Sequence, residues 1–246
     1  MRIIFFISLI LSVSQKVQSQ DNHQYLTKRP YAVVLGTTQD GGYPHAGCEK
    51  LCCKEAWLSD SLRKMVASIA IIDPRTGLAW MIDATPDFAK QYHIITKKHK
   101  ARLAGIFLTH AHIGHYSGLM QLGREVMGAK NVVVYAMPKM KKYLEENGPW
   151  NQLVKLKNIK LSPIKDKEEV LLARDLIIEP FLVPHRDEFS ETVGYNVIGP
   201  NESMLYIPDI DKWEKWEHDI LFGSNPIHML FWMELSTMMT KSQIGI

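Results

Sequence analysis

The sequence predicts a mixed α/β fold built as a layered sandwich. Three observations carry this. The runs at 67–72 (ASIAII) and Leu78–Ile82 flank the turn Asp73-Pro-Arg-Thr-Gly77, so they form a hairpin, preceded by the apolar run Tyr31–Gly36 (YAVVLG). From residue 86 onward, apolar runs alternate with segments of helical period. The 246 residues, 46% hydrophobic and 22% charged, suit one large domain and exclude a disordered chain, a collagen and a small disulfide scaffold.

Taken in order, Tyr31–Gly36 reads as a buried strand running into the Gly-rich loop TTQDGGYPHAG. Segment 86–96 reads as a helix, with Pro86 early, where its missing N–H costs nothing. A short strand at 105–108 precedes a helix over 117–127, with Leu119, Leu122, Val126 and Met127 on one side. A strand at 132–135 leads to a helix over 138–147, closed by Gly148. Strands follow at 176–183, 192–198 and 204–207, then an amphipathic helix over 211–220. No linker divides this series.

Charge says little about partners. The net charge of +3, from 29 basic and 26 acidic residues, is too weak to imply nucleic acid, so a small-molecule substrate is expected. Met1-Arg2 is a short basic start, and the apolar run at 3–13 is too short to span a bilayer. With Val17-Gln18-Ser19 behind it, the expectation is a signal peptide over 1–19, a secreted or periplasmic chain and no stable membrane anchor. The main domain then covers 20–223, and 224–246 is a tail of different character.

The chemistry-bearing signal is Thr109-His-Ala-His-Ile-Gly-His115, three histidines within six residues between an apolar strand and a helix. His110 and His112 alternate, so in extended backbone they point the same way. Imidazole suits zinc, and a three-nitrogen pocket leaves a fourth position for water. His185 in VPHRDEFS and Asp209 in YIPD stand at other predicted strand ends. Strand ends on one edge of a sheet can converge.

At these residues the chain resembles the metallo-β-lactamase-fold superfamily, up to about Phe222. The resemblance implies an αββα four-layer sandwich with metal at the edge of its sheets. It implies that His110, His112 and His185 hold a first zinc, that Asp209 bridges, and that His115 belongs to a second site. The superfamily pattern is His-x-His-x-Asp-His, and Gly114 stands where it has the aspartate. Glycine offers no ligand, so one zinc is expected and the second site lacks a carboxylate. VLGTTQDGGYPHAGCEKLCC and LTHAHIGHYSGLMQLGRE are similar to the branch around the coenzyme pyrroloquinoline quinone (PQQ) synthesis protein B.

Zinc lowers the pKa of a coordinated water to about 7 and polarises carbonyl or phosphoryl oxygens. Asp209 then orients that water or takes its proton as the catalytic carboxylate. The implied reaction is hydrolysis of an ester, lactone, amide or phosphodiester. Two alternatives stand beside it. Gly114 favours a non-catalytic metal-binding relative, a carrier or scaffold. VPHRDEFSETVGY resembles the histidine motif of phosphodiesterases acting on nucleotides.

Cys48, Cys52 and Cys53 are the only cysteines, an odd count that cannot pair fully. Spacing leaves a local disulfide or free thiols open, and the resemblance implies a structural metal with His45 nearby. From Ser224 the tail shows no clear strand or helix signal, where the superfamily carries further strands and a last histidine ligand. Met and Trp have single codons. Reading from the third base of each codon forces Leu-Asp-Gly under 231–234 and Asp-Asp under 238–240, similar to an acidic segment of this branch. The expectation is a single-base frameshift near Gly223 and a domain left incomplete.

Overall fold

The computed structural model describes residues 29–216 and the strands Ile227–Phe231 and Gln243–Gly245. The expected signal peptide 1–19, the predicted helix beyond residue 216 and the rest of the tail lie outside the described residues. The first sheet contains β1 (Tyr31–Gly36), β2 (Ser68–Asp73), β3 (Leu78–Ile82), β4 (Arg102–Phe107), β5 (Val132–Ala136) and β6 (Ile159–Pro163). The second contains β7 (Val170–Ala173), β8 (Leu176–Leu182), β9 (Val193–Ile198), β10 (Ser203–Ile207) and β11 (Ile227–Phe231). A last strand, β12 (Gln243–Gly245), pairs with β1 and closes the first sheet to the order β12-β1-β2-β3-β4-β5-β6; the second runs β11-β10-β9-β8-β7.

The central strands are apolar on both faces because both faces are covered. All six residues of β2 are buried. Successive residues serve opposite cores, as the two-residue period of a strand requires. Ile69 and Ile71 join Trp80, Ile82 and Phe107 against Ile178, Tyr195, Val197 and Tyr206 of the second sheet. Ala70 and Ile72 join Met81 and Ile106 on the other side, under Phe88, Leu119, Leu122, Met140, Leu144 and Leu153. A third cluster, Phe181, Val183, Leu205, Ile207 and Ile210, lies on the outer face of the second sheet with Trp216 against it.

The helices depart from expectation in instructive ways. Helices α1 (Leu51–Leu58) and α5 (Trp150–Lys155) carry weak sequence signals, as do β6 and β7, and were not predicted. The helix expected from 86 starts later, as α2 (Phe88–His93), and runs on into a π-helical turn to Lys98. The segment expected as a helix over 117–127 is α3 (Ile113–Tyr116) and a tight 3₁₀ turn, Ser117–Leu122. It stops because Gly123 is extended (φ −64°, ψ 167°), which leaves Val126 and Met127 exposed. Helix α4 (Pro138–Glu146) ends one residue early, at an extended Asn147 rather than at a left-handed Gly148. Within the tail, β11 lies parallel to β10, so this stretch is a strand despite its weak alternation.

Strand direction places the site. β2 is antiparallel to both β1 and β3, and β4 is parallel to β3. The loops leaving β1, β3 and β4 therefore emerge on one edge. β8 and β10 are both antiparallel to β9, so their exits also share an edge.

The buried Tyr195 hydroxyl crosses between the sheets and donates to the Leu108 carbonyl at 2.6 Å, two residues before His110. Tyr195→Phe removes that donor and leaves a buried carbonyl without it. We expect a loss of about 1–3 kcal/mol in unfolding free energy by chemical denaturation. Unchanged stability would mean that this bond does not anchor the strand exit.

Candidate metal centre

The site begins at the end of β3. Asp83 is fully buried and adopts a positive φ of 67°. Such backbone is uncommon for a residue with a side chain, although Asp and Asn tolerate it best. The Asp83 carboxylate accepts from the Thr109 N–H at 2.8 Å, from the Thr109 hydroxyl at 2.9–3.0 Å and from His115 Nδ1–H at 2.7 Å. It thereby ties the exit of β3 to the loop that carries the three histidines.

Each histidine is held on its outer side, and this decides which nitrogen faces inward. The single Thr109 hydroxyl proton goes to Asp83, so at His110 Nδ1, 3.0 Å away, the hydroxyl oxygen accepts. His110 Nε2 is left as a bare lone pair. His112 Nε2–H donates to Glu188 at 2.9 Å and leaves Nδ1 without a proton of its own. His185 Nδ1–H donates to Asp211 at 2.9 Å and leaves Nε2 bare. The two bare nitrogens of His112 and His185 then face one another at 3.2 Å. His110 Nε2 is buried, lies 3.3 Å from Asp209 Oδ2 and makes no hydrogen bond. Apart from an Arg186 N–H that reaches His112 Nδ1 at 3.4 Å, these lone pairs converge without protons between them, an arrangement a cation resolves, and metal-binding histidines are held by outer partners of this kind.

Asp209 stands between two groups of donor atoms. One is His110, His112, His185 and Asp209; the other is Asp40, His115 and Asp209. His115 Nε2 lies 3.0 Å from Asp209 Oδ2 and 3.1 Å from Asp40 Oδ1. Burial works against the charge of Asp209, but its contacts with His110 and His115 outweigh this and hold its carboxyl far below the ordinary range. Burial also opposes a charge on His115, but Asp83, then Asp209 and Asp40, hold its proton well above the usual histidine value. His110 goes the other way: burial first, then the charge of His115, push it down to about 3. At neutral pH His110 is therefore unprotonated.

The structure brings together His110, His112, His115, His185 and Asp209, every one of them named from the sequence. Sequence reasoning missed Asp40 and Asp83. Asp40 lies in a Gly-rich loop and Asp83 ends a strand, where single carboxylates ordinarily mark turns. The early position of Asp40 in the loop after β1, an edge shared with the histidines, was the available signal.

The cysteines form a separate group. The donor atoms of Cys48, Cys52 and Cys53 lie within 4.8 Å of one another, and all three are free thiols, with no disulfide among them. Contact with Cys53 lowers the Cys48 thiol, and the same contact raises Cys53 to about 11. His45 does not join them: its imidazole packs on Gly41, within 2.9 Å of where a Cβ would stand.

A family model described as "Beta-lactamase superfamily domain" matches residues 80–231, more than half of the chain. The coenzyme PQQ synthesis protein B of Methylorubrum extorquens (strain PA1) is 25% identical over 198 residues, covering 72% of this chain and 64% of that protein. The chain spans less than two thirds of the length of the curated relatives it matches. Among solved structures, its fold is similar to Zn(2+)-bound PqqB from Methylobacterium extorquens, with TM-score 0.62 and 22% identity, covering 75% of this chain and 67% of that one. It is also similar to a diphosphatase from the PhnP family, with TM-score 0.53 and 24% identity, covering 74% and 67%.

Asp83→Asn keeps the shape and the tolerance of positive φ but removes the charge that holds His115 and Thr109. Outer partners of metal-binding histidines are worth roughly 10–100-fold in metal affinity. We expect a loss of that size in a zinc titration, with the circular dichroism of the fold retained. An unchanged affinity would show that Asp83 serves packing alone.

Proposed function

The chain belongs to the metallo-β-lactamase-fold superfamily, and from that premise we propose that it is a PqqB-like, zinc-dependent hydrolase, exported from the cytoplasm, that cleaves an ester, lactone, amide or phosphodiester. One observation carries the reading: three imidazoles present bare nitrogens to a common space beside Asp209, and His110 Nε2 is buried there without a hydrogen-bond partner. Three nitrogens and a carboxylate are a donor set that zinc accepts. The solved structure of a zinc-bound PqqB and a diphosphatase in the same fold agree with this class of chemistry. The short basic start and apolar run of the first residues support export.

Bound zinc supplies Lewis-acid polarisation of the scissile carbonyl or phosphoryl group and makes a water molecule acidic near neutral pH. The chain's own groups supply the rest. Thr109, Glu188 and Asp211 hold the imidazoles in one tautomer and orientation, so no ring has to turn or change protons when substrate enters. Asp209, kept ionised by its two histidines, is a fixed anion that orients a water proton, and its low proton affinity makes it a weak base. The buried first-sheet side of the site, with His110 and His115 almost fully covered, keeps bulk water out of that half.

Within this class, one observation favours a phosphodiester or another anionic substrate. The exposed guanidinium of Arg186 reaches to 3.4 Å from His112 Nδ1 at the mouth of the site, where it meets incoming negative charge.

The first test is His110→Ala beside the wild-type full chain. The variant is expected to lose zinc and turnover together across a panel of esters, lactones, amides and bis(p-nitrophenyl) phosphate. If it retained both, the reading would be wrong. Zinc in the wild type with no turnover on any substrate would favour the carrier or scaffold alternative. Arg186→Ala is expected to raise KM for the phosphodiester by about 2- to 5-fold, the scale of a solvent-exposed charge contact, and to leave neutral esters unaffected. An equal effect on both substrates would remove the preference for anions.

A further inference from the structure

We propose that Asp40 supplies the carboxylate that Gly114 lacks at the second metal position implied by the superfamily resemblance, so that Asp40, His115 and Asp209 together take a divalent cation, and that Gly114 is glycine because the Asp40 side chain occupies the space beside it. The inference rests on the metallohydrolase reading above and extends it from one cation to two that share Asp209.

The first argument is charge. Three carboxylates, Asp83, Asp40 and Asp209, lie within 3.1 Å of the two nitrogens of His115. Three carboxylates thus face one imidazole, so acidic groups outnumber basic ones around a side chain with almost no solvent exposure. Asp83 is fully covered while Asp209 and Asp40 are partly open, so a cation placed between the latter two would offset carboxylate charge from the accessible side. The nearest bare nitrogen belongs to His110 and points at Asp209 without bonding to it.

Orientation is the second argument. Asp83 holds Nδ1 of His115, so Nε2 is the atom turned toward Asp40 and Asp209. One imidazole nitrogen and two carboxylate oxygens then converge, a set harder than the three-histidine group next to it and suited to a first-row divalent ion such as Zn²⁺, Mn²⁺ or Co²⁺.

The third argument is steric and independent of charge. A Cβ on Gly114 would stand 2.6 Å from Asp40 Cα, 2.7 Å from Cγ and 2.8 Å from Oδ1. Gly114 is not among the glycines with positive φ, so its backbone does not itself exclude a side chain. Asp40 excludes it. The motif therefore lacks a carboxylate at 114 because one arrives at the same place from the loop after β1. That loop is built to deliver it. Thr37 and Thr38 N–H groups donate to the Met65 carbonyl, Gly42 N–H donates back to Gln39 at 2.8 Å, and Gly42 takes a φ of 69° to close the turn.

The experiment is a titration of the chelator-stripped full chain with Co²⁺, followed by d–d absorption and EPR. Cobalt on the cysteines is told apart by its thiolate charge-transfer absorption. Wild type is expected to take two equivalents outside the cysteines, magnetically coupled through the shared carboxylate. Asp40→Asn, which keeps the shape, and Asp40→Ala are each expected to take one uncoupled equivalent. Gly114→Ala is expected to do the same, although it removes no ligand atom, because its methyl group displaces Asp40. A wild type that takes a single uncoupled equivalent, or Asp40 variants that keep two coupled ones, would overturn the second site. Absence of any non-thiolate cobalt in wild type would instead overturn the metallohydrolase reading and the second site with it.

Discussion

A carboxylate with no access to solvent has to be met by donors on every side, and much of the site is arranged to meet Asp83. Removing such a charge from water costs several kcal/mol unless hydrogen bonds and an opposite charge offset it. Here the Thr109 amide, the Thr109 hydroxyl and His115 do so, on a backbone that has itself turned to positive φ. The consequences run outward from this anion. Because the Thr109 hydroxyl is committed to Asp83, it can only accept from His110, and the tautomer of His110 follows. Because His115 gives Nδ1–H to Asp83, its other nitrogen is the one that meets Asp40 and Asp209. One buried charge thus determines the facing atom of two ligands on the first-sheet side. Glu188 and Asp211, on the second-sheet side, do the same for His112 and His185 with exposed or half-exposed carboxylates.

This division of labour follows from topology. The loops after β1, β3 and β4 leave the first sheet on one edge, and the loops after β8 and β10 leave the second. The core between the sheets, from Ile69 and Phe107 across to Tyr195 and Tyr206, fixes the distance between those two sets of loops. Asp83, His110 and His115, all from first-sheet loops, are almost fully buried, whereas Asp40 and His112 from the same sheet and His185 from the second are partly accessible. His112, His185 and the exposed Arg186 form the open side of the cluster, and Asp83 and Thr109, which set charge and tautomer, lie behind it.

What was legible in the sequence follows the same boundary. Strands β1 and β3 were readable to the residue, because a strand covered on both faces is an unbroken apolar run. The three clustered histidines were readable because imidazoles at that spacing have few other uses, whereas His185 and Asp209, weak signals singly, were readable through the family resemblance and their place at strand ends. Strands β6 and β7 and helix α5 were not, since their half-exposed positions leave no clean period. Nor was the early end of the helical stretch at Leu122, which depends on one extended glycine. Asp83 and Asp40 escaped for a different reason. Their roles depend on what the fold packs against them, and a lone Asp after a strand or before a pair of glycines has the local signature of a turn.

The relation between positions 40 and 114 shows why a motif with a missing letter is weak evidence for a missing atom. A metal-binding group needs a carboxylate oxygen at a point in space, and any backbone within reach of that point can provide it. Two backbones that reach it from opposite sides cannot both carry a side chain there, and a distance of 2.6 Å between a Gly114 Cβ and Asp40 Cα expresses that exclusion. Moving the carboxylate to the loop after β1 has a structural consequence. The loop continues from Asp40 through Tyr43 to Cys48, Cys52 and Cys53, and it is tied back by the Tyr43 hydroxyl on the Cys52 carbonyl and by Trp57 on the Cys48 carbonyl. The thiols form a donor group of their own, separate from the histidine cluster.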